Sequence, residues 1–261
     1  MNRRVFAQSL GSATLLSAVP GATGWAQSSA APGAIMCIAA HPGDGMFTMG
    51  PVLARQIEQG ATGVLLSLSQ GERGAPKSMP LEQYGEMQRT ATAKAAKLLG
   101  AEAIYLQYPD AEIPFNEESS LQVCDAIREH RPAIVVTHWK GSWHKDHENC
   151  YRIVRDAVFY AGLGTLTRNQ PAHSVSRILY AENWEDADGF TPDTYVNVES
   201  VFEKWLLACD FYPMWRGQTG FFRYKDYYSS LAVMRGCLSG FKQAVALMAD
   251  ATERVQRLES L

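Results

Sequence analysis

His41 and Asp44 stand three residues apart at the end of one short apolar run. About a hundred residues later, His138 and the segment His144-Lys145-Asp146-His147 follow another. Imidazoles and carboxylates are the ligands of catalytic zinc, which typically takes three protein ligands and keeps a fourth position for a water whose pKa falls to ~7. Water activated in this way attacks amides. A lone His-x-x-Asp says little, because a surface His beside an Asp is commonplace. Two His/Asp clusters, each directly after an apolar run, are harder to explain as packing, since buried charges need partners and loops expose them.

The elements that must position these residues are legible in the apolar pattern. Ile35 to Ala39, Val64 to Leu68, Ala103 to Leu106 and Ala133 to Thr137 read as strands. Between them, Met46 to Gln59, Leu81 to Leu99 and Ser119 to His130 carry apolar residues at helical spacing, and Glu148 to Tyr160 follows the fourth strand. Gly60 and Gly100 sit where a left-handed residue would close a helix. Almost continuously apolar strands separated by helices predict an α/β, doubly wound, mostly parallel sheet with helices on both faces. In such a sheet the strand C-termini share one edge, so the two clusters can meet in a His, Asp, His metal site. Beyond Ala161 the pattern weakens: Arg177 to Tyr180 and Tyr195 to Val198 read as strands, Val201 to Cys209 and Tyr228 to Leu247 as helices. Asn183 to Arg223, rich in aromatic residues, Gly, Asp and Pro, suits either a substrate-shaping loop or an aromatic-packed cap.

These motifs resemble those of the PIG-L (LmbE-like) deacetylases. Ala40-His41-Pro42-Gly43-Asp44 matches the family's Ala-His-Pro-Asp-Asp at all but one position, and His144-Lys145-Asp146-His147 matches its His-x-Asp-His. Gly71-Glu72-Arg73-Gly74, the helix containing Arg89, Tyr108-Pro109-Asp110 and Thr137-His138-Trp139 extend the resemblance over roughly Ile35 to Tyr160. The resemblance implies a Rossmann-like sheet and a zinc-dependent amide hydrolase acting on an N-acylated sugar or small glycoconjugate. It implies one Zn2+ on His41, Asp44 and His147, with His144 stabilising the tetrahedral intermediate or protonating the leaving amine and Asp146 orienting His144. Arg73 and Arg89 are candidate substrate contacts, and His138 is a candidate for either a substrate contact or a support behind the ligands. His and carboxylate ligands also suit iron, cobalt or nickel.

One position departs from that pattern. The family's first Asp after the Pro is its general base, and here Gly43 stands there, with Gly45 where many members carry an acid. Three explanations follow, in order of preference: another group serves as base, the reaction is slower or different, or the chain keeps the metal without turnover. Asp146, His144 and Glu72 are the candidate replacements. The amidase reading therefore stands beside two others, a metal-containing carbohydrate-binding or accessory protein and a zinc hydrolase of a non-sugar amide or ester.

Composition narrows the partners. A net charge of −3 argues against nucleic acid, and 46% hydrophobic with 20% charged residues is ordinary for a globular chain, leaving a small molecule or glycan as the expected ligand. Residues 1–30 read as an export signal: Arg3-Arg4 followed by Phe6 resembles a twin-arginine signal, and Gly24-Trp25-Ala26 supplies small residues for cleavage. Residues 31–261 are then one catalytic domain, expected in the periplasm, with no membrane span in the mature protein. Cys37, Cys124, Cys150, Cys209 and Cys237 show no C-x-x-C spacing, so they are expected mostly as buried thiols, with room for at most one undetermined disulfide pair if two of them lie close. His130 reads as a helix-terminal cation.

Overall fold

The computed structural model describes residues 33–250; the expected export signal lies outside the described residues. Seven strands form one sheet in the order β3-β2-β1-β4-β5-β7-β6: β1 (Ile35–Ala39), β2 (Gly63–Ser69), β3 (Ala101–Tyr108), β4 (Ile134–Thr137), β5 (Arg177–Ala181), β6 (Thr194–Asn197) and β7 (Ala244–Ala249). β1 to β5 are parallel, with Cys37 opposite both Leu65 and Val136. Every residue of β1 and β2 is buried, as strands covered on both faces must be. The expected α/β doubly wound sheet is present.

Helices α1 (Pro42–Asp44), α2 (Gly50–Glu58), α3 (Leu81–Leu99), α4 (Glu117–His130), α5 (Lys145–Gly162), α6 (Phe202–Cys209) and α7 (Tyr224–Ser239) cover the sheet. The alternation of side chains along each strand divides the core in two. Met36, Ile38, Val64, Leu66 and Val135 pack with residues of α4 and α5. Ile35, Cys37, Leu65 and Val136 pack on the opposite side with residues of α2, α3, α6 and α7. α3 ends at Gly100 with φ of 89°, as read from the sequence. α4 opens with a capping box in which the Asn116 side chain accepts from Ser119 N and the Ser119 hydroxyl accepts from Asn116 N. Arg128, only 2% exposed, donates to the carbonyls of Tyr160, Leu163, Leu166 and Gln170, tying down the end of α5.

Two elements differ from the sequence expectation. The helix expected over Met46 to Gln59 begins earlier and irregularly: α1 passes through a π-helical turn, Gly45–Met49, into α2. A π turn adds a residue to the helical repeat and is frequent at functional sites. A side chain at Gly45 would meet Leu65 Cδ1 at 2.7 Å and Ala39 Cβ at 3.2 Å, so glycine lets this turn press onto β1 and β2. The helix expected over Tyr228 to Leu247 is instead α7 followed by β7. Gly240, at φ of 78°, ends the helix, and the chain turns back so tightly that a side chain at Gly236 would lie 2.6 Å from the Lys242 carbonyl. The Ala-rich run after it is then captured as a strand antiparallel to both β5 and β6. Tertiary pairing overrides helix propensity there.

All five cysteines are free, four of them buried and Cys237 exposed. Among the described residues, no helix is long and apolar enough to cross a membrane.

Candidate metal centre

The chain runs β1, β2, β3 to one side of the sheet and then places β4 on the other side of β1, so the crevice between β1 and β4 is a topological switch point, where open α/β sheets bind ligands. His41 and Asp44 come from the turn after β1. His144 caps the N-terminus of α5, after β4, and His147 lies in that helix's first turn. The clusters read from the sequence do converge: ligand atoms of His41, Asp44 and His147 lie within 4.8 Å of one another.

Asp44 Oδ2 stands at the centre, 2.9 Å from His41 Nδ1 and 3.2 Å from His147 Nε2. Each imidazole is held from behind. The outer nitrogen of His41, Nε2, faces Asp110 Oδ1 at 3.0 Å and Asp146 Oδ2 at 3.4 Å. That of His147, Nδ1, donates to Asp186 Oδ1 at 2.8 Å. A carboxylate on the outer N–H fixes the tautomer that offers the inner nitrogen's lone pair to a cation. His147 Nε2 is buried without a well-formed hydrogen bond, 3.2 Å from Asp44 Oδ2, and is the ring nitrogen left to take a proton or a cation. This donor set fits a divalent cation of the zinc class.

The electrostatics agree. Burial works against protonating His147, but Asp44 and Asp186 outweigh it and push its pKa up to about 10. For His41, burial is likewise overcome by hydrogen bonds to Asp110, Asp146 and Asp44, and the pKa lies well above the usual imidazole value. Two imidazoles made basic by carboxylates hold protons where a cation would otherwise sit, and cation binding displaces those protons. His144 is driven the other way, to about 4, by burial and then by the charges of His147 and His41. Its Nδ1 accepts from the Asp146 backbone N–H at 3.2 Å, so neutral His144 carries its proton on Nε2.

These residues open into a cleft of about 330 Å³ lined by His41, Gly43, Asp44, His144, Arg73 and Glu185 among others, within the range of small-molecule sites. Trp143, 68% exposed, stands at its rim against Trp184 at 5.9 Å, and Trp184 stacks on Phe222 at 4.1 Å. Trp215 is core.

The structure narrows the expectations for His138 and Asp146 and corrects the one for Arg89. His138 is not a substrate contact: it is 1% exposed, its Nε2 accepts from Ala40 N, its Nδ1 donates to Asp186 Oδ2 at 2.8 Å, and its ring stacks on His147 at 4.1 Å. It braces a ligand from behind. Arg89 lies off the cleft, 44% exposed beside Glu86 and over the Tyr105 ring. Its neighbour Gln88 is the α3 residue that reaches the site, because one step along a helix turns the side chain by about 100°. Asp146 orients His144 through its backbone N–H, while its carboxylate accepts from Ala111 N and approaches His41. Arg73 does line the cleft, with its guanidinium paired to Glu112.

Sequence reasoning read Asn183 to Arg223 as a substrate-shaping loop or a packed cap and singled out none of its acids, yet its first residues form a third strand-end loop at the site. Asn183, Glu185 and Asp186 follow β5, the parallel neighbour of β4. Asn183 Nδ2 donates to Asp44 Oδ1 at 3.3 Å, Asp186 holds both His138 and His147, and Glu185 Oε2 lies 3.4 Å from His147 Nε2. Burial, and next the Asp44 carboxylate, push the Glu185 carboxyl up to about 7. The signal was the same as for the first two clusters, acids directly after an apolar run, but that run, Arg177 to Ala181, is short and begins with a charge.

Fold and site together define a Rossmann-like scaffold with a His-Asp-His candidate metal centre at its switch point. Residues 36–158, just under half of the chain, match the family model described as PIG-L, GlcNAc-PI de-N-acetylase. The 4-oxalmesaconate hydratase of Pseudomonas putida is 24% identical over 211 residues, covering 77% of this chain and 79% of the hydratase. Among solved structures, the 4-carboxy-2-hydroxymuconate hydratase of Pseudomonas putida superposes with a TM-score of 0.77 at 19% identity, covering 88% of this chain and 99% of that one. The N,N'-diacetylchitobiose deacetylase of Pyrococcus horikoshii gives 0.71 at 19% identity, covering 83% of each chain. At these identities the structural likenesses establish the fold.

Proposed function

We propose that this chain is an exported, zinc-dependent amide hydrolase that removes an acyl group, in the first instance acetyl, from an N-acylated sugar or small glycoconjugate. The observation that carries the reading is the inward convergence of His41 Nδ1, Asp44 Oδ2 and His147 Nε2, each imidazole locked by an outer carboxylate. A divalent cation held by these three would polarise the acyl oxygen and acidify a water. His144, neutral and carrying its proton on Nε2, offers a hydrogen bond to the oxygen that becomes negative as the carbonyl is attacked. Trp143 at the rim provides an aromatic face of the kind that packs against sugar rings. The twin-arginine-like residues Arg3-Arg4 favour a periplasmic site of action and hence an envelope or extracellular glycan over a cytoplasmic metabolite.

The test is metal content of the purified protein, coupled to free-amine release from a panel of N-acetylated sugars with and without chelator. Stoichiometric zinc and chelator-sensitive amine release are expected. Metal without release from any substrate points to a binding or accessory protein, and absence of metal removes the centre itself.

A second reading, addition of water to a carbon–carbon double bond of a small carboxylated acid, is favoured by Gly43 at the general-base position together with the likeness to a hydratase. Loss of the ultraviolet absorbance of a conjugated unsaturated acid, with no amine released from the sugar panel, would establish it over the first.

A further inference from the structure

We propose that Glu185 is the proton acceptor that replaces the carboxylate missing at Gly43. The inference rests on the amidase reading and adds a catalytic residue to it.

The loss at Gly43 is not a simple deletion. A side chain there would begin 3.2 Å from Phe47 Cε2 and 3.7 Å from Met214 Sδ. Phe47 is itself packed among the rings of Tyr212, Trp215, Tyr224 and Tyr228. Apolar groups therefore crowd the side-chain position at Gly43, and with no side chain there a base must come from elsewhere.

The carboxylates around the cleft can be sorted by what already occupies their oxygens. Asp186 spends one oxygen on His138 and the other on His147 and is fully buried. Asp110 faces His41 through Oδ1 and accepts from Arg73 N through Oδ2. Asp146 is fully buried, with Oδ2 taken by Ala111 N and His41. Glu72 accepts from Asp110 N and does not line the cleft. Asp44 lies between the two imidazoles. Glu185 alone lines the cleft with a side-chain carboxylate that, among the described residues, accepts no hydrogen bond, its polar approach being the 3.4 Å to His147 Nε2.

Its placement is fixed. Glu185 N donates to Asn183 Oδ1 at 3.1 Å, and Trp143 N donates to the Glu185 carbonyl at 3.3 Å. Asn183 is in turn held by Tyr228 Oη and donates to Asp44. The loop carrying the carboxylate is thus tied to a metal ligand on one side and to the rim of the cleft on the other.

The step balances without a co-reactant. An O–H bond of the attacking water breaks and its proton passes to the Glu185 carboxylate, while the oxygen forms a bond to the acyl carbon and the carbonyl electron pair moves to the acyl oxygen. The electron pair on the acyl oxygen then re-forms the C=O bond as the C–N bond breaks, the C–N pair goes to nitrogen, and nitrogen takes the proton back from Glu185. The products are a carboxylic acid, which ionises, and a free amine.

The test compares wild type with Glu185→Gln, which keeps size and shape, on an N-acyl sugar that the wild type hydrolyses, with kcat, KM and zinc affinity by competition with a chromophoric chelator measured for both. The expected result is a kcat lower by ~100- to 10,000-fold, the usual contribution of a general base, with KM and zinc affinity each within about threefold of wild type. Undiminished kcat in Glu185→Gln overturns the inference alone. A parallel fall in zinc affinity also overturns it, by making Glu185 a metal ligand. Absence of amine release from the wild type overturns the amidase reading and this inference with it.

Discussion

The two histidines of the candidate metal centre are held in unlike ways. His41 keeps 13% of its side chain exposed, and one of the carboxylates behind it, Asp110, itself lines the cleft. His147 is 1% exposed and its carboxylate, Asp186, is wholly buried and shared with a second imidazole, His138. The partners also differ in origin. Those of His41 come from the β3 end and from α5, within the region of the family motifs, whereas the Asp186 that holds His147 comes from the β5 end, outside it. A motif therefore specifies the ligands while a loop it does not include sets the basicity and orientation of one of them.

Removing the buried ligand should have the largest effect. His147→Ala is expected to reduce bound zinc from one per chain to near zero and to abolish turnover, measured by metal analysis after dialysis. It leaves Asp44 and Asp186 as carboxylates facing a hole, so a lower melting temperature is expected as well. The next effect is on turnover alone. His144→Ala should lower kcat by ~100- to 1,000-fold, the usual cost of losing one oxyanion donor, while zinc content stays at one per chain. Retained turnover would remove His144 from the mechanism.

Asp186→Asn separates the two modes of support directly. The amide can still accept one hydrogen bond, but the charge that makes both His147 and His138 favourable N–H donors is gone. Zinc affinity is expected to fall by ~10- to 100-fold, as for other outer partners of metal-bound histidines, with the competition assay as readout. If Asp110→Asn, on the His41 side, weakens zinc more than Asp186→Asn does, the buried support is the less important one and the comparison is reversed.

What could be read from the sequence followed the same division. The five parallel strands and the convergence of His41, Asp44 and His147 were legible, because burial on both faces writes continuous apolar runs and His and Asp at the ends of parallel strands share one edge of the sheet. β7 was not, because Ala244 to Ala249 has a composition helices also favour and becomes a strand only between β5 and β6. Asp186 and Glu185 were not, because a carboxylate that supports an imidazole from 39 residues away leaves no spacing rule in the chain. His138 was placed on the correct edge with both a substrate contact and a support behind the ligand left open, since strand alternation cannot distinguish a side chain facing the cleft from one stacked behind His147.

The smallest expected effect tests the correction on α3. Arg89 and Gln88 are adjacent in sequence, yet Gln88 is 2% exposed and lines the cleft while the Arg89 side chain is 44% exposed beside Glu86. An exposed pair of this kind contributes little, about 0–1 kcal/mol to stability, and Arg89 has no route to substrate from that face. Arg89→Ala should therefore leave kcat/KM within about threefold of wild type, since surface substitutions usually stay within about 0.5 kcal/mol. Gln88→Ala should raise KM by more, because it removes a polar side chain from the cleft wall. A larger loss in Arg89→Ala than in Gln88→Ala would mean that α3 turns its other face to the substrate, and that the sequence expectation for Arg89 was right after all.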